Sequence, residues 1–195
     1  EAVYPVRVDP TFGYTSIGAS TTQIARVLND QSERNGIGPL GPSGNGTLDT
    51  ISAAVKNLTS GTEALDMTVF LNIENTATDS HTEVARSERL DVATDTTANF
   101  EDFTMSGESI SGVIYVLGIV GNGEDLVTNS GAITFDASGS QNRYVEAFTG
   151  AGSYNNSKEN PWTEAETAGS TAKLSIYATY TGISNIPTLL FMNAG

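Results

Sequence analysis

From Leu65 to Glu74 the side chains alternate in character. Leu65, Met67, Val69, Leu71 and Ile73 are apolar, while Asp66, Thr68, Asn72 and Glu74 are polar, and only Phe70 breaks the polar set. A period of two places the apolar residues on one face of a strand, so this segment predicts a half-buried β-strand. The same period returns in Ile51, Ala53 and Val55, in Phe103 and Met105, and in Ile133 and Phe135. It returns again in Tyr144 and Phe148 with Glu146 between them, and in Leu174, Ile176, Ala178 and Tyr180 set against Lys173, Ser175, Tyr177 and Thr179. Val113 to Leu117 is almost continuously apolar and predicts a central strand, whereas the charged stretch from Val84 to Val92 predicts an edge strand. With Ile186 to Met192 as a further apolar stretch, the pattern gives about eight or nine short strands separated by turn residues. It predicts an all-β chain built as a single β-sandwich, jelly-roll or immunoglobulin-like.

The first 46 residues read differently. Ala2, Tyr4, Val6 and Val8 alternate with Val3, Pro5, Arg7 and Asp9, an extended segment that Pro10 ends. Pro5 lacks an amide proton, which suits an edge or a strand paired on one side. Ser20-Thr21-Thr22-Gln23 has the form of a capping box, and Ile24, Val27 and Leu28 follow at helical spacing, predicting a short helix over 21–30. Gly36, Pro39, Gly41, Pro42, Gly44 and Gly46 punctuate 29–46, which reads as a linker or a long surface loop. The expected organisation is an arm, a short helix and a Gly/Pro-rich linker or loop in 1–46, followed by a sandwich domain in 47–195.

Charge narrows the list of partners. The formal net charge is −14, so nucleic acid and anionic membrane surfaces are disfavoured. Lysine is confined to Lys56, Lys158 and Lys173, a low-lysine, high-acid balance found in proteins of salty habitats and in secreted proteins alike. The chain has no cysteine, which excludes disulfides, thiolate metal sites and cysteine nucleophiles. Its most apolar run, Val113 to Val120, is far short of the roughly 20 residues of a membrane helix. The sequence begins at Glu1 without a signal peptide, as expected of a processed or trimmed chain, and processing favours export or virion maturation.

No catalytic constellation stands out. His81, the sole histidine, lies in Thr78-Asp79-Ser80-His81-Thr82 and is expected in a solvated hairpin turn. The acid pairs Glu101-Asp102, Glu124-Asp125 and Glu164/Glu166 are neighbours of a kind that so acidic a chain produces by chance, so an enzyme is not expected. Calcium is a candidate ligand, through hard oxygens in the loops that carry Glu124, Asp125 and Asp136, although neither loop has the twelve-residue calcium pattern. Glycosylation acceptors occur at Asn45, Asn57 and Asn155, and glycans are also candidate partners. Trp162, the only tryptophan, is expected to anchor its own loop.

The ends of the chain carry the sharpest expectation. Tyr4, Val6 and Val8 form an apolar face that could add as a strand to a neighbouring subunit. Leu189, Leu190 and Phe191 need burial in this chain's own core or in a neighbour. Gly46-Thr47-Leu48-Asp49, then Asn57-Leu58 with Gly61, then the strand ending Asn72-Ile73-Glu74-Asn75 resembles the TasA/camelysin group of secreted fibre-forming proteins. The resemblance spans about thirty residues and implies a jelly-roll-like sandwich, export, and filaments joined by an N-terminal donor strand. Here 45 residues precede the Gly-Thr-Leu-Asp, and an extended donor arm would account for that length. The expected function is a structural subunit of an extracellular filament, pilus or tube, with copies of itself as partners. The alternatives are a single jelly-roll viral capsid or decoration protein, of a halophilic host for instance, and a carbohydrate-binding or adhesive module.

Overall fold

A computed structural model describes residues 10–26, 31–58, 64–75, 80–93, 95–105, 107–123, 130–139, 141–150, 152, 154 and 166–182. In chain order the strands are β1 (Thr11–Gly13), β2 (Ser20–Arg26), β3 (Gln31–Leu40), β4 (Gly46–Asn57) and β5 (Leu65–Asn75). They continue as β6 (Ser80–Arg86), β7 (Leu90–Val92), β8 (Asp95–Thr104), β9 (Ser109–Ile110) and β10 (Tyr115–Gly121). The last are β11 (Ser130–Asp136), β12 (Asn142–Phe148), β13 (Glu166–Thr171), β14 (Lys173–Leu174) and β15 (Ile176–Gly182). The chain is all-β, and its strands form one antiparallel sheet with the order β1-β15-β4-β11-β2-β3-β10-β5-β6. Off that path β12 joins β3 and β13, β7 joins β5, β8 and β9 join β4, and β14 joins β11.

The two ends of this order share one core. Leu48, Ile51 and Val55 of β4, Ile133 of β11 and Ile176, Ala178 and Tyr180 of β15 cluster with Ile37 of β3, Leu65, Met67, Val69 and Leu71 of β5, and Leu117 and Ile119 of β10. The Phe12 ring of β1 lies 5.8 Å from that of Tyr115 on β10 and 6.1 Å from that of Tyr180. Close approach explains Gly131 on β11, where a Cβ would fall 2.2 Å from Cδ2 of Leu65.

Several sequence expectations hold in this frame. The Leu65–Ile73 alternation is a strand, Ile51, Ala53 and Val55 are buried, and Leu174, Ile176, Ala178 and Tyr180 point inward. Tyr115 to Gly121 is a central strand between β3 and β5, buried along its length, although Val113 and Ile114 lie outside it and are exposed. There are fifteen strands among the described residues rather than about eight or nine, partly because several are only two or three residues long.

The helix expected over 21–30 is overturned as far as residue 26: 27–30 lie outside the described residues, and Ser20–Arg26 is strand β2, paired with β11. Its register shifts between Gly131 and Ala132, with Ala25 opposite Gly131 and Gln23 opposite Ala132. The extra residue is Ile24, so Ile24 and Ala25 are both buried, and this bulge breaks the alternation that marks a strand. Thr21, Thr22 and Ile24 are β-branched and suit the pleat. The linker or loop over 29–46 is also corrected, since Gln31–Leu40 is the ten-residue strand β3 and only 41–45 connects it to β4. Strand β3 tolerates Pro39 because its pairing with β10 shifts between Tyr115 and Leu117, leaving Gly38 and Pro39 opposite Val116 at a bulge that needs no amide donor. Both β2 and β3 therefore lie within the same sheet as the strands that follow residue 46.

Candidate functional site

Two strand edges flank a cleft. Among the described residues β8 pairs only with β4 and β9 is its neighbour on that edge, while β6 and β7 pair only with β5. Between them lies a cavity of about 380 Å³, lined by Arg86, Glu88, Arg89 and Leu90 on one side and by Asp102, Phe103, Thr104 and Met105 on the other. The alternation of β8 sends Phe103 inward, where it is buried with Met105, and leaves Asp102 and Thr104 exposed. Leu90 is partly buried against the same core cluster. The floor is thus apolar and the rim is charged.

The rim is held by ion pairs. Arg89 Nη1 lies 2.7 Å from Oδ2 of Asp66 and Arg89 Nε lies 3.3 Å from Oδ1 of Asp91. Arg86 Nε lies 2.5 Å from Oε1 of Glu83, and its guanidinium sits 5.9 Å from the Phe70 ring centre. On the other side Ser52 Oγ donates to Oδ1 of Asp102 at 2.5 Å. An unpaired strand edge presents amides and carbonyls at regular spacing, which is the template for strand addition.

A second arrangement covers the face of β3, β10 and β5 that points away from the core. Tyr144 stands opposite Gly36 in the β12–β3 ladder, and its side chain packs with Val116. Its hydroxyl donates to Oε1 of Glu74 at 3.4 Å, and its ring meets His81 edge-on at 4.6 Å. His81 is therefore not a solvated turn residue. It is a buried residue of β6, with the Tyr144 ring of β12 packed against it. The polar set of β5 is likewise buried rather than half-exposed: Asp66, Thr68 and Asn72 have little access to solvent, and the Thr68 hydroxyl lies 2.7 Å from that of Tyr154. Further along this face Arg34 is ion-paired with Glu146 and stacks 5.0 Å from the Phe148 ring centre. Burial pulls the Arg34 guanidinium down from its ordinary value, and its attraction to Glu146 opposes the shift. Burial pushes the Glu83 carboxyl up, against the hydrogen bond from Arg86.

Of the residues singled out from sequence, Tyr4, Val6, Val8, Glu124, Asp125, Asn155, Trp162, Leu189, Leu190 and Phe191 lie outside the described residues. Asp136, a calcium candidate, spends both oxygens on its own chain. Oδ2 accepts from the Tyr14 hydroxyl at 2.5 Å and Oδ1 from the amide of Ala19 at 3.0 Å. The Tyr14 bond first, and the Ala19 amide next, hold Asp136 below the usual carboxylate range. That carboxylate pins the chain between β1 and β2. Among the described residues no three or more His, Cys, Asp or Glu side chains are grouped to hold a metal ion. Asn45 is exposed in the β3–β4 connection, whereas Asn57 is buried and its Nδ2 donates to the carbonyl of Val92 at 2.8 Å. A folded chain therefore offers Asn45, and not Asn57, to a modifying enzyme.

The cleft itself was not legible from sequence, because its two walls are a dozen or more positions apart and meet only through the sheet order. The signal that could have pointed to it is the adjacency of a charged edge segment, Val84 to Val92, and a strand ending in Phe103 and Met105. No protein-family model matches the chain, and no curated protein is significantly similar to it. No helix among the described residues is long and apolar enough to cross a membrane.

Proposed function

We propose that this chain is a structural subunit of an extracellular filament, pilus or tube, and that it assembles with copies of itself by exchanging an N-terminal strand. In this reading the sheet folds over as a two-layer β-sandwich of jelly-roll type, with β4, β11 and β15 in one layer and β3, β10 and β5 in the other. The chain works as a rigid slab and performs no catalysis. The resemblance of Gly46–Asp49, Asn57-Leu58 and Asn72–Asn75 to the TasA/camelysin group favours the same class.

The observation that carries the proposal is the pair of strands, β8 and β6–β7, that are edges among the described residues and flank an apolar-floored cleft. The alternating apolar segment Ala2 to Val8 has the character of a strand that would suit such an edge. Removal of residues 1–9 tests it. The full chain should form polymers visible by negative-stain electron microscopy, and the shortened chain should remain a folded, soluble monomer by sedimentation and circular dichroism. Undiminished polymerisation of the shortened chain would refute strand exchange, and closed shells in place of fibres would favour the capsid alternative.

A further inference from the structure

We infer that the acceptor is the cleft between β8 and β6–β7 of a second copy, filled by residues 1–9 of the donor; this rests on the strand-exchange reading above and names its receiving site. Three features of the fold lead there. The first is chemical fit. Leu90, Phe103 and Met105 form an apolar floor at the foot of an edge that has no partner strand among the described residues. A strand laid along β8 would turn Tyr4, Val6 and Val8 toward that floor and Val3, Pro5 and Arg7 away from it, since successive side chains alternate.

The second is reach. Thr11 of β1, Thr179 of β15, Thr50 of β4 and Thr104 of β8 stand in one rank across the sheet. The donor segment joins β1 at Pro10, whose carbonyl accepts from the amide of Tyr180 at 3.1 Å. Three steps of about 4.8 Å separate β1 from β8, so a segment folding back to its own cleft must first cross about 14 Å. At about 3.3 Å per residue that crossing uses roughly four residues, and these are the ones nearest Pro10, including Val6 and Val8. At home the anchors are consumed by the crossing. In a second copy, docked beside the β1 edge, they are free to seat.

The third is charge. Strand β8 carries Asp95, Glu101 and Asp102 and no basic residue. Two β8 edges paired with each other would bring these acids together, which disfavours a symmetric edge-to-edge contact. The acceptor edge therefore takes a different segment, and the contact is head-to-tail, the arrangement that propagates a filament.

Because the chain has no cysteine, a pair of introduced cysteines reports on the contact cleanly. One preparation carries Val3→Cys or, separately, Arg7→Cys, both on the outward side of the donor strand. The other carries Thr104→Cys, at an exposed position that alternates with the inward Phe103 of β8. A disulfide needs Cα atoms within about 7 Å, so it forms only between adjacent strands. Mixing the two preparations under mild oxidation should give a reducible dimer containing one chain of each kind, in step with polymer growth. Polymers without any mixed disulfide would place the acceptor elsewhere and overturn the inference while leaving strand exchange intact. A chain bearing both cysteines that closes on itself at high dilution, in preference to its neighbours, would overturn it in favour of docking at home. Failure of the unsubstituted chain to polymerise would remove the strand-exchange reading and this inference with it.

Discussion

The two faces of the β3–β10–β5 part of the sheet are equally shut off from water and are held in different ways. Facing the core are mainly hydrocarbon side chains, Ile37, Leu117, Ile119, Val69 and Leu71, with Asn35 buried beside Ile37. On the other side lie Arg34, Tyr144, Asn72, Thr68 and His81, each 3% exposed or less. The core face gains from transfer of apolar surface out of water and from close packing. The opposite face gains little from burial itself, because each polar group must first give up its water and then find a partner. Arg34 with Glu146, Tyr144 with Glu74 and Thr68 with Tyr154 are such partners. The hydrocarbon face supplies stability, and the polar face supplies a specific register, since these contacts form only when β12 and β6 are in place.

The sharpest way to break this comparison is one substitution on each face. Leu117→Ala should cost about 2–5 kcal/mol, through lost transfer energy and the cavity left behind. Arg34→Met removes a charge whose burial is unfavourable and keeps much of the side-chain volume over Phe148. Its partner Glu146 has a side chain 35% exposed and can turn to water. Arg34→Met should therefore stay within about 1 kcal/mol of the parent, or exceed it. Urea unfolding of the two variants compares them directly. Equal losses would mean that the charge pair stabilises the fold as strongly as hydrocarbon packing, and the distinction between the faces would fail.

A smaller effect separates two glycines that look alike in sequence. A Cβ on Gly38 would fall 2.6 Å from Cγ2 of Val116 and 3.2 Å from the carbonyl oxygen of Tyr115, whereas one on Gly41 meets nothing within 4 Å. Gly38→Ala should cost about 1–3 kcal/mol by crowding the polar face at the β3 bulge. Gly41→Ala should change stability by about 0.5 kcal/mol or less, and thermal unfolding of the pair tests whether the glycines of β3 make room for packing or merely end a strand.

These glycines also show where the sequence stopped being readable. Strands whose two faces differ in polarity, such as β15, announced themselves by period. Strand β3 did not, because Gly36, opposite Tyr144, and Gly38, where a Cβ would crowd Val116, are strand residues that in one dimension are indistinguishable from the connecting glycines Gly41 and Gly44. Strand β2 was hidden by its bulge at Ile24, which mimics helical spacing. His81 read as a turn residue because the ring that buries it comes from Tyr144, 63 positions away. The candidate cleft needed the pairing order for the same reason. Its apolar floor was visible as Phe103 and Met105, but the opposing wall was not.

The finest test of the polar face uses pH. Burial holds the Glu83 carboxyl above its ordinary range, so the folded chain binds that proton more tightly than the unfolded chain does. The contribution is fully present below the ordinary carboxylate pKa and is lost as pH rises through the raised folded value. Glu83→Gln abolishes this titration. Measured as a difference from the parent, the stability of the variant should therefore climb as pH rises from acid toward neutral, by about 1 kcal/mol or less, because the Glu83 side chain is partly exposed and bonded to Arg86. Asp136 is shifted the opposite way by Tyr14, so its contribution is present above the ordinary carboxylate range and is lost as pH falls. Asp136→Asn should accordingly fall behind the parent as pH rises. Melting temperatures of both variants across that range should diverge in opposite directions. A Glu83→Gln curve that falls behind the parent toward neutral pH would mean that Arg86 and Arg34 stabilise the carboxylate more than burial opposes it, and the polar face would then be a source of net electrostatic stability rather than of register.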